Sequence, residues 1–305
     1  MSAADARTPH ARTPHGPVVV GWDGSAGAEG AVRWAAPVAA RAGRGLLVLL
    51  ALDSQQLVSA GLYPQLAPVP AFDDADAMLA KGVDLARRTA PETPVEGASR
   101  SGHPVAVLAD ASKEASLLVV GTRGHSQLVS SLIGSVSDAV AHHAGCPVVV
   151  VDPQHQDGAG VETSRGPVVV GVDGSERSLV ALAFAAAHCK TVGAALVAVR
   201  SASAPMMIYT PDVVELSGAG QRALLEHAQA QLSDDLAAVR RRQPDLSVEA
   251  VVSPMSPVQA LIEAVPDPQL LVVGSRGHGG FVGMLLGSVS RGVLHQAPCP
   301  VAVVR

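Results

Sequence analysis

Several features that would narrow the function at once are missing from this sequence. There are three cysteines, Cys146, Cys189 and Cys299, and none lies in a C-x-x-C pair, so a disulfide framework is not indicated. Cys146 and Cys299 each precede a proline and a valine-rich segment, which favours small buried apolar side chains over a redox or metal role. The formal net charge is −5, and without a basic excess general nucleic-acid binding is disfavoured.

Long uninterrupted apolar runs are also missing, although 48% of the residues are hydrophobic. Arg, Asp or a Gly/Pro turn breaks each apolar run within about 18 residues, so no transmembrane helix and no membrane partner are predicted. Residues 1–15 contain the pentapeptide ARTPH twice and no apolar segment of the kind that signal peptides have. We therefore predict a disordered tail over residues 1–15 and a cytoplasmic protein.

What the sequence does contain is an internal duplication. The segment PVVVGWDGS starting at Pro17 returns as PVVVGVDGS at Pro167, 150 residues later. A second shared pattern, LLVVG followed by spaced glycines and a Gly-Ser pair, starts at Leu117 and returns 153 residues later at Leu270. A repeat of this length indicates tandem copies of one domain. We predict domains at residues 16–152 and 167–305, joined by a linker at 153–166.

Each copy alternates buried strands with helical patterns. Valine-rich and leucine-rich runs such as Leu46–Leu52 indicate buried parallel strands. Apolar residues at spacings of three and four, as from Phe72 to Ala86, indicate helices. The predicted fold class is therefore α/β, with two tandem five-stranded parallel sheets that carry helices on both faces. The last strand of each copy, Val148–Val151 or Val301–Val304, leaves an edge that needs cover, so we predict that the two copies dock there as an intrachain pseudo-dimer.

The glycine loops follow a strand where a ligand is expected. If the strand order is 3-2-1-4-5, the order reverses between strands one and four, and ligands bind beyond the carboxyl ends of the strands at that point. Strand one ends in Asp-Gly-Ser at Asp23 and Asp173, and strand four ends in the glycine loop at Gly121 and Gly274. The two special loops of each copy should therefore converge on one site.

The loop residues suit a phosphate. Glycines let backbone N–H groups approach a ligand, and a Gly-Ser pair at a helix start presents unsatisfied N–H groups to an anion. Arg123 and Arg276 are candidate phosphate partners or solvated loop residues, and His125 and His278 are interpreted as plain loop residues. Asp23 and Asp173 either accept hydrogen bonds from a sugar or bind a divalent ion, or they cap the helix that follows. The predicted ligand is a phosphorylated nucleotide.

Catalytic motifs are not found in the loops. No G-x-x-x-x-G-K-[ST] sequence occurs, and neither loop contains lysine, so a phosphoryl-transfer enzyme of the P-loop class is not indicated. No catalytic residue is assigned, and binding is better supported than turnover.

The pattern G-2x-G-9x-G-[ST], with an early V-G-x-D-G-S and a late C-P-V-x-V-V, resembles the universal stress protein family in its tandem ATP-binding form. The resemblance implies the strand order 3-2-1-4-5, with ATP in the crevice together with Mg²⁺ or Mn²⁺. It also implies dimers that form through strand five. Adenine is expected near the end of strand two, at Leu52 and Ser201. Together with the loop arginines Arg123 and Arg276, the predicted binding residues are Asp23, Leu52, Gly121, Arg123, Gly124, Gly134, Ser135, Val136 and Ser137 in the first copy, and Asp173, Ser201, Gly274, Arg276, Gly277, Gly287, Ser288, Val289 and Ser290 in the second.

Each copy departs from the family pattern in one place. The first loop has Ser126-Gln127 where the second has Gly279-Gly280. The Gly-x-Pro at Gly102 becomes Met255-Ser256-Pro257 in the second copy. We therefore expect the two sites to differ in nucleotide affinity.

Three functions fit the sequence. The leading hypothesis is a nucleotide-binding regulatory protein in the stress response, whose bound ATP signals to a partner that the sequence does not identify. The alternatives are a slow ATPase or adenylate-handling enzyme of the same fold group, and a stress scaffold that binds no nucleotide.

Overall fold

A computed structural model gives the fold of the chain. It describes residues 16–53, 72–122, 134–152, 166–203, 218–278 and 286–305. The predicted tail, most of the predicted linker, and the loop residues Arg123, Gly124, His125, Ser126, Gln127, Gly279 and Gly280 lie outside the described residues.

The first repeat alternates strands with helices along its whole length. Its elements are β1 (Val18–Trp22), α1 (Ala26–Arg41), β2 (Leu46–Leu52), α2 (Phe72–Thr89), β3 (Val95–Ser101), α3 (Pro104–Ala111), β4 (Leu117–Gly121), α4 (Ser135–His143) and β5 (Val148–Val151).

The second repeat has the same sequence of elements. They are β6 (Val168–Gly171), α5 (Glu176–Val192), β7 (Leu196–Ser201), α6 (Gly218–Arg242), β8 (Val248–Ser253), α7 (Pro257–Ile262), β9 (Leu270–Gly274), α8 (Ser288–Gln296) and β10 (Val301–Val304). None of the helices in the described ranges combines the length and the apolar character that crossing a bilayer requires.

The strand order confirms the predicted topology. It is β3-β2-β1-β4-β5 in the first repeat and, in the corresponding positions, β8-β7-β6-β9-β10 in the second. The register is parallel, with Val18 opposite both Leu46 and Leu117, and Val168 opposite both Leu196 and Leu270. Strands one and four of each repeat are thus neighbours, and their carboxyl ends lie at the same edge of the sheet.

The chain divides into two compact units. One contains the described residues between 16 and 152 together with Cys299–Val303, and the other contains those between 166 and 298. Within the first unit β10 runs antiparallel to β5, with Val301 opposite Val150 and Val303 opposite Val148. The edge of β5 is therefore covered by a strand from the end of the chain.

Buried valines and capped helices account for these elements. Val18, Val19 and Val20 are buried, as are their counterparts in β6, because a parallel strand is covered by helices on both faces. Ser25 is the N-cap of α1 and its hydroxyl oxygen accepts a hydrogen bond from the N–H of Ala28 at 3.2 Å. All three cysteines are buried and unbridged, as the sequence predicted.

Candidate functional site

A cavity of about 420 Å³ lies at the carboxyl ends of β6 and β9 in the second repeat. It lies where the strand order reverses, between the first and fourth strands. Every candidate residue named for the second repeat lines it: Asp173, Ser201, Gly274, Arg276, Gly277, Gly287, Ser288, Val289 and Ser290. The two loops that are far apart in the sequence are thus brought to one cavity.

Asp173 uses its two carboxylate oxygens differently. Oδ1 accepts a hydrogen bond from the N–H of Ser175 at 2.9 Å, which closes the turn before α5. Oδ2 accepts from the N–H of His278 in the glycine loop at 3.3 Å, and Nδ1 of His278 lies 4.0 Å from it. The two predicted roles of this aspartate, capping the helix and binding a ligand, are therefore compatible, because one oxygen closes the turn and the other lies beside the loop.

The environment of Asp173 favours its charged form. Partial burial raises the pKa of its carboxyl group, but hydrogen bonds from Ser175 and Ser178 and the nearby His278 outweigh this and lower the pKa below the ordinary value. The carboxylate is therefore an acceptor at neutral pH, available to a hydroxyl group or a cation.

Gly277 and Gly274 are glycines because other atoms come close to them. A Cβ at Gly277 would collide with Oδ2 of Asp173, so glycine lets the loop approach the carboxylate. A Cβ at Gly274 would lie 2.9 Å from the carbonyl carbon of Arg177 in the first turn of α5. Gly274 therefore has a packing role in addition to its place in the cavity wall.

The start of α8 forms another wall of the cavity. Its N-cap is Gly287, and within the described residues no side chain caps this turn. N–H groups in the first turn of a helix have no partner inside the helix, so those of Ser288, Val289 and Ser290 suit an anion.

The two serines of this turn differ. The Ser290 hydroxyl is buried and donates to the carbonyl oxygen of Gly274 at 2.7 Å, which joins α8 to β9. Of the two hydroxyl groups, that of the exposed Ser288 is the candidate donor to a ligand, and Ser290 would contribute through its backbone N–H.

Arg276 and His278 are exposed on the loop side of the cavity. Arg276 is in a position to approach an anion at the start of α8. His278 was interpreted from the sequence as a plain loop residue, and its side chain is 67% exposed. Its backbone N–H nevertheless joins the loop to Asp173, a contact with no signal in the sequence.

The described part of the first repeat has matching geometry. Oδ1 of Asp23 accepts from the N–H and the hydroxyl of Ser25 at 3.0 and 2.6 Å. Ser137 donates to the carbonyl oxygen of Gly121 at 2.5 Å, as Ser290 does to Gly274. Gly134 is the N-cap of α4, so Ser135 and Val136 lie in its first turn. Arg123 and Gly124 fall outside the described residues, so the middle of this loop is not compared.

The two residues expected near adenine are not equivalent positions. Leu46 and Leu196 occupy the same register against β1 and β6, so Ser201 corresponds to Ala51 and Leu52 corresponds to Ala202. Ser201 lines the cavity and donates to the carbonyl oxygen of Met255 at 2.7 Å. Leu52 is half-buried at the last position of β2, and its carbonyl oxygen accepts from Gly102 at 2.9 Å.

Apolar residues that the sequence analysis did not select form much of the remaining wall. They are Gly171, Val172, Val199, Pro257, Leu261, Val273 and Leu286, together with the polar Ser178. Their sequence signal was that of core strands and helices, so nothing in the pattern separated cavity lining from core. An apolar wall of this kind suits the face of a planar ring.

A metal ion at this site would depend on the ligand. Among the described residues no group of three or more His, Cys, Asp or Glu side chains could hold an ion. Mg²⁺ commonly binds through one or two carboxylates together with substrate phosphates, and Asp173 offers one such carboxylate at the cavity.

Comparison with known proteins gives a consistent result. The universal stress protein family matches residues 15–152 and 165–305. A universal stress protein of Mycobacterium tuberculosis is 36% identical over 299 residues, which cover 96% of this chain and 98% of that protein. A crystal structure of a universal stress protein from Archaeoglobus fulgidus is 21% identical, covers 95% of this chain and 98% of that chain, and has a TM-score of 0.65, which supports the fold. A universal stress protein crystallised in complex with cAMP is 30% identical over 45% of this chain and 97% of its own, with a TM-score of 0.35. The resemblance seen in the sequence motifs is confirmed, and the chain belongs to the universal stress protein family.

Proposed function

We propose that this protein is an ATP-binding regulatory protein of the stress response, with one adenine-nucleotide site in each repeat. The observation that carries the proposal is the cavity of about 420 Å³ at the switch point of the second repeat, whose lining includes all nine residues selected there from the sequence. Its volume is within the range of small-molecule sites.

Each part of a nucleotide has a suitable partner. The first-turn N–H groups of α8 and the Arg276 guanidinium suit the phosphates. Oδ2 of Asp173 suits the ribose hydroxyls, or a divalent ion shared with the phosphates. The apolar wall near Val199 and Ser201 suits the adenine ring. In the first repeat we assign the phosphates to the start of α4, the ribose to Asp23, and the adenine ring to the end of β2 near Leu52.

A divalent cation fits this arrangement as a companion of the nucleotide. Mg²⁺ or Mn²⁺ would neutralise phosphate charge, and Asp173 would be the protein ligand. The glycine loops contain no lysine of the P-loop kind, so we propose that the site holds ATP and at most hydrolyses it slowly. We also propose that the protein is located in the cytoplasm, forms a homodimer and signals to a protein partner that is not identified.

The first experiment is mass analysis of small molecules released when the purified protein is denatured, followed by calorimetric titration with ATP and Mg²⁺. We expect released adenine nucleotide, or saturable binding at two sites of unequal affinity. If no nucleotide is released and ATP does not bind even at millimolar concentration, the proposal is contradicted and a scaffold is favoured. Steady ADP release over many turnovers would favour the enzyme alternative.

A further inference from the structure

A cluster of hydrogen-bonded polar groups, partly shielded from solvent, packs against the Asp173 turn in the second repeat. Arg200, near the end of β7, has a side chain that is only 12% exposed. Its guanidinium donates to the backbone carbonyl oxygen of Asp173 at 3.1 Å, to Oε1 of Gln231 at 2.9 Å and to Oδ2 of Asp235 at 3.1 Å. Gln231 and Asp235 are four residues apart on α6, so both lie on one face of that helix. The arginine therefore connects the turn to α6.

The turn at Asp173 and Gly174 packs directly against this guanidinium. A Cβ at Gly174 would lie 3.6 Å from both terminal nitrogens of Arg200 and 3.7 Å from Oδ2 of Asp235. A guanidinium is planar and presents several donors in a fixed fork, so it fixes the directions of its acceptors more firmly than a flexible amine does. Arg200 therefore holds the backbone carbonyl of Asp173, and the N–H of His278 holds its Oδ2 on the cavity side.

Stability alone is a weak reason for such a cluster. Burial raises the pKa of Asp235, and the charge of Arg200 offsets this only in part. Removing two charges from water is costly, and a well-packed apolar group of similar size is often no less stabilising than a buried ion pair. The first repeat contains that apolar alternative.

In the first repeat the same space is filled by apolar groups. Trp22 is buried and its Nε1–H donates to the carbonyl oxygen of Met78 at 2.9 Å. A Cβ at Gly24 would lie 3.5 Å from Cγ and Sδ of Met78, so this turn rests on a thioether. Strand register matches Trp22 with Val172 and Leu50 with Arg200. The 153-residue offset between the repeats matches Met78 with Gln231 and Gly82 with Asp235 on the helices. The change is thus coordinated across three elements.

We propose that Arg200, held by Gln231 and Asp235, is a positioning residue that sets how the second-repeat site recognises the ribose of its nucleotide. Arg200 does not line the cavity and acts through Asp173, whose carboxylate would accept the ribose hydroxyls. In the first repeat Leu50 stands at the position of Arg200, so ribose recognition at that site does not depend on such an arginine. This inference rests on the proposed function and adds a cause for unequal sites.

The test compares ATP with 2′,3′-dideoxy-ATP, which has no ribose hydroxyl to offer Asp173. Arg200→Leu introduces the residue of the first repeat. We expect it to weaken ATP binding at the second site by about tenfold or more, the cost of one hydrogen bond to a charged acceptor. Both titrations are made without divalent cations, so that the ribose hydroxyls are the groups that approach Asp173. Binding of dideoxy-ATP should then change by less than about twofold, because that ligand does not use the positioned carboxylate. Two-site calorimetry on the full chain supplies the first site as an internal reference.

Milder variants keep the test informative if Arg200→Leu does not fold. Arg200→Lys retains the charge but not the fork and should recover part of the ATP affinity. Gln231→Leu removes one exposed acceptor and should cause a smaller loss that is again confined to ATP. Asp235→Asn removes the charge that Arg200 contacts and should weaken the binding of ATP but not of dideoxy-ATP. Asp234→Asn is its matched control, because it makes the same charge change on an exposed neighbour in α6. It should leave both affinities unchanged.

Equal losses for ATP and dideoxy-ATP in Arg200→Leu would show a merely structural role and overturn this inference alone. Unchanged ATP binding in all the Arg200 and Gln231 variants would do the same. A wild-type chain that binds neither nucleotide would overturn the proposed function, and this inference with it.

Discussion

Gly277→Ala tests the contact between the glycine loop and Asp173 most directly. The added methyl would collide with Oδ2 of Asp173, so the loop and the carboxylate must separate. Residues 276–278 are exposed, and the carboxylate can turn away at little cost in packing. The substitution should therefore leave the free energy of unfolding nearly unchanged while it displaces the acceptor that faces the cavity.

The size of the effect follows from one charged hydrogen bond. A hydrogen bond to an ionised acceptor contributes about 1.5–3 kcal/mol, and about 1.4 kcal/mol corresponds to a tenfold change in Kd. ATP binding at the second-repeat site should weaken by roughly 10- to 100-fold. In an Asp173→Ala background the displaced acceptor is already missing, so the same methyl should cost less than about threefold, and the double-mutant cycle should show strong coupling.

The assay is calorimetric titration with ATP and Mg²⁺, with thermal unfolding measured on the same samples. Gly45→Ala is the control, because its added methyl would have only an ordinary contact, 3.6 Å from the carbonyl oxygen of Pro94, and Gly45 is in the first repeat. If ATP affinity at the second site stays within twofold of wild type in Gly277→Ala, the contact between the loop and Asp173 does not matter for binding. An equal loss in the Asp173→Ala background would lead to the same conclusion, since the methyl would then act without the carboxylate.

Two further predictions concern titratable groups. Burial raises the pKa of the Cys146 and Cys189 thiols to about 12, and Cys299 is also buried. A thiol reagent should therefore label almost none of the cysteines in the native protein at pH 7. All three cysteines should be labelled in denaturant. Fast labelling of a native cysteine would contradict the core packing. The lowered pKa of Asp173 means that this carboxylate stabilises the fold above its unfolded value of ~3.9, and that this stabilisation is lost as the pH falls through the folded pKa. Urea unfolding at pH values from about 5 to 2.5 should show a smaller loss of stability on acidification for Asp173→Asn than for wild type, and identical losses would contradict the carboxylate's assigned hydrogen bonds.

Much of the fold could be predicted because local patterns specify it. Continuous valine and leucine runs located the buried strands, and three-four spacing located helices such as Phe72–Thr89. The ends of elements carry a weaker signal. The third strand extends to Ser101, because an edge strand is held by backbone pairing to β2 and its exposed side chains carry no apolar signal. The first helix starts at Ala26, since the cap at Ser25 sets its start.

The candidate site was predictable to a different degree in each repeat. In the second repeat the duplicated glycine pattern selected residues that lie around one cavity, because glycines and an Asp-Gly-Ser turn leave a clear signal at strand ends. The residues of the apolar wall left no such signal, because Val199 and Leu261 have the sequence pattern of ordinary core residues. The pairing of Leu52 with Ser201 was one residue out of register, because strand ends without a motif cannot be aligned closely from composition.

The duplication could be recognised in the sequence because the two copies share short motifs. The alternation of strands and helices and the glycine-loop residues could also be recognised there, because they depend on neighbours a few positions apart. Which groups remain available to a ligand depends on tertiary contacts. The Ser290 hydroxyl is used by Gly274, 16 residues away, and Arg200 reaches Asp173 and Asp235, which are 27 and 35 residues away. Contacts at such separations depend on how strands and helices pack, and no local pattern in the sequence encodes them.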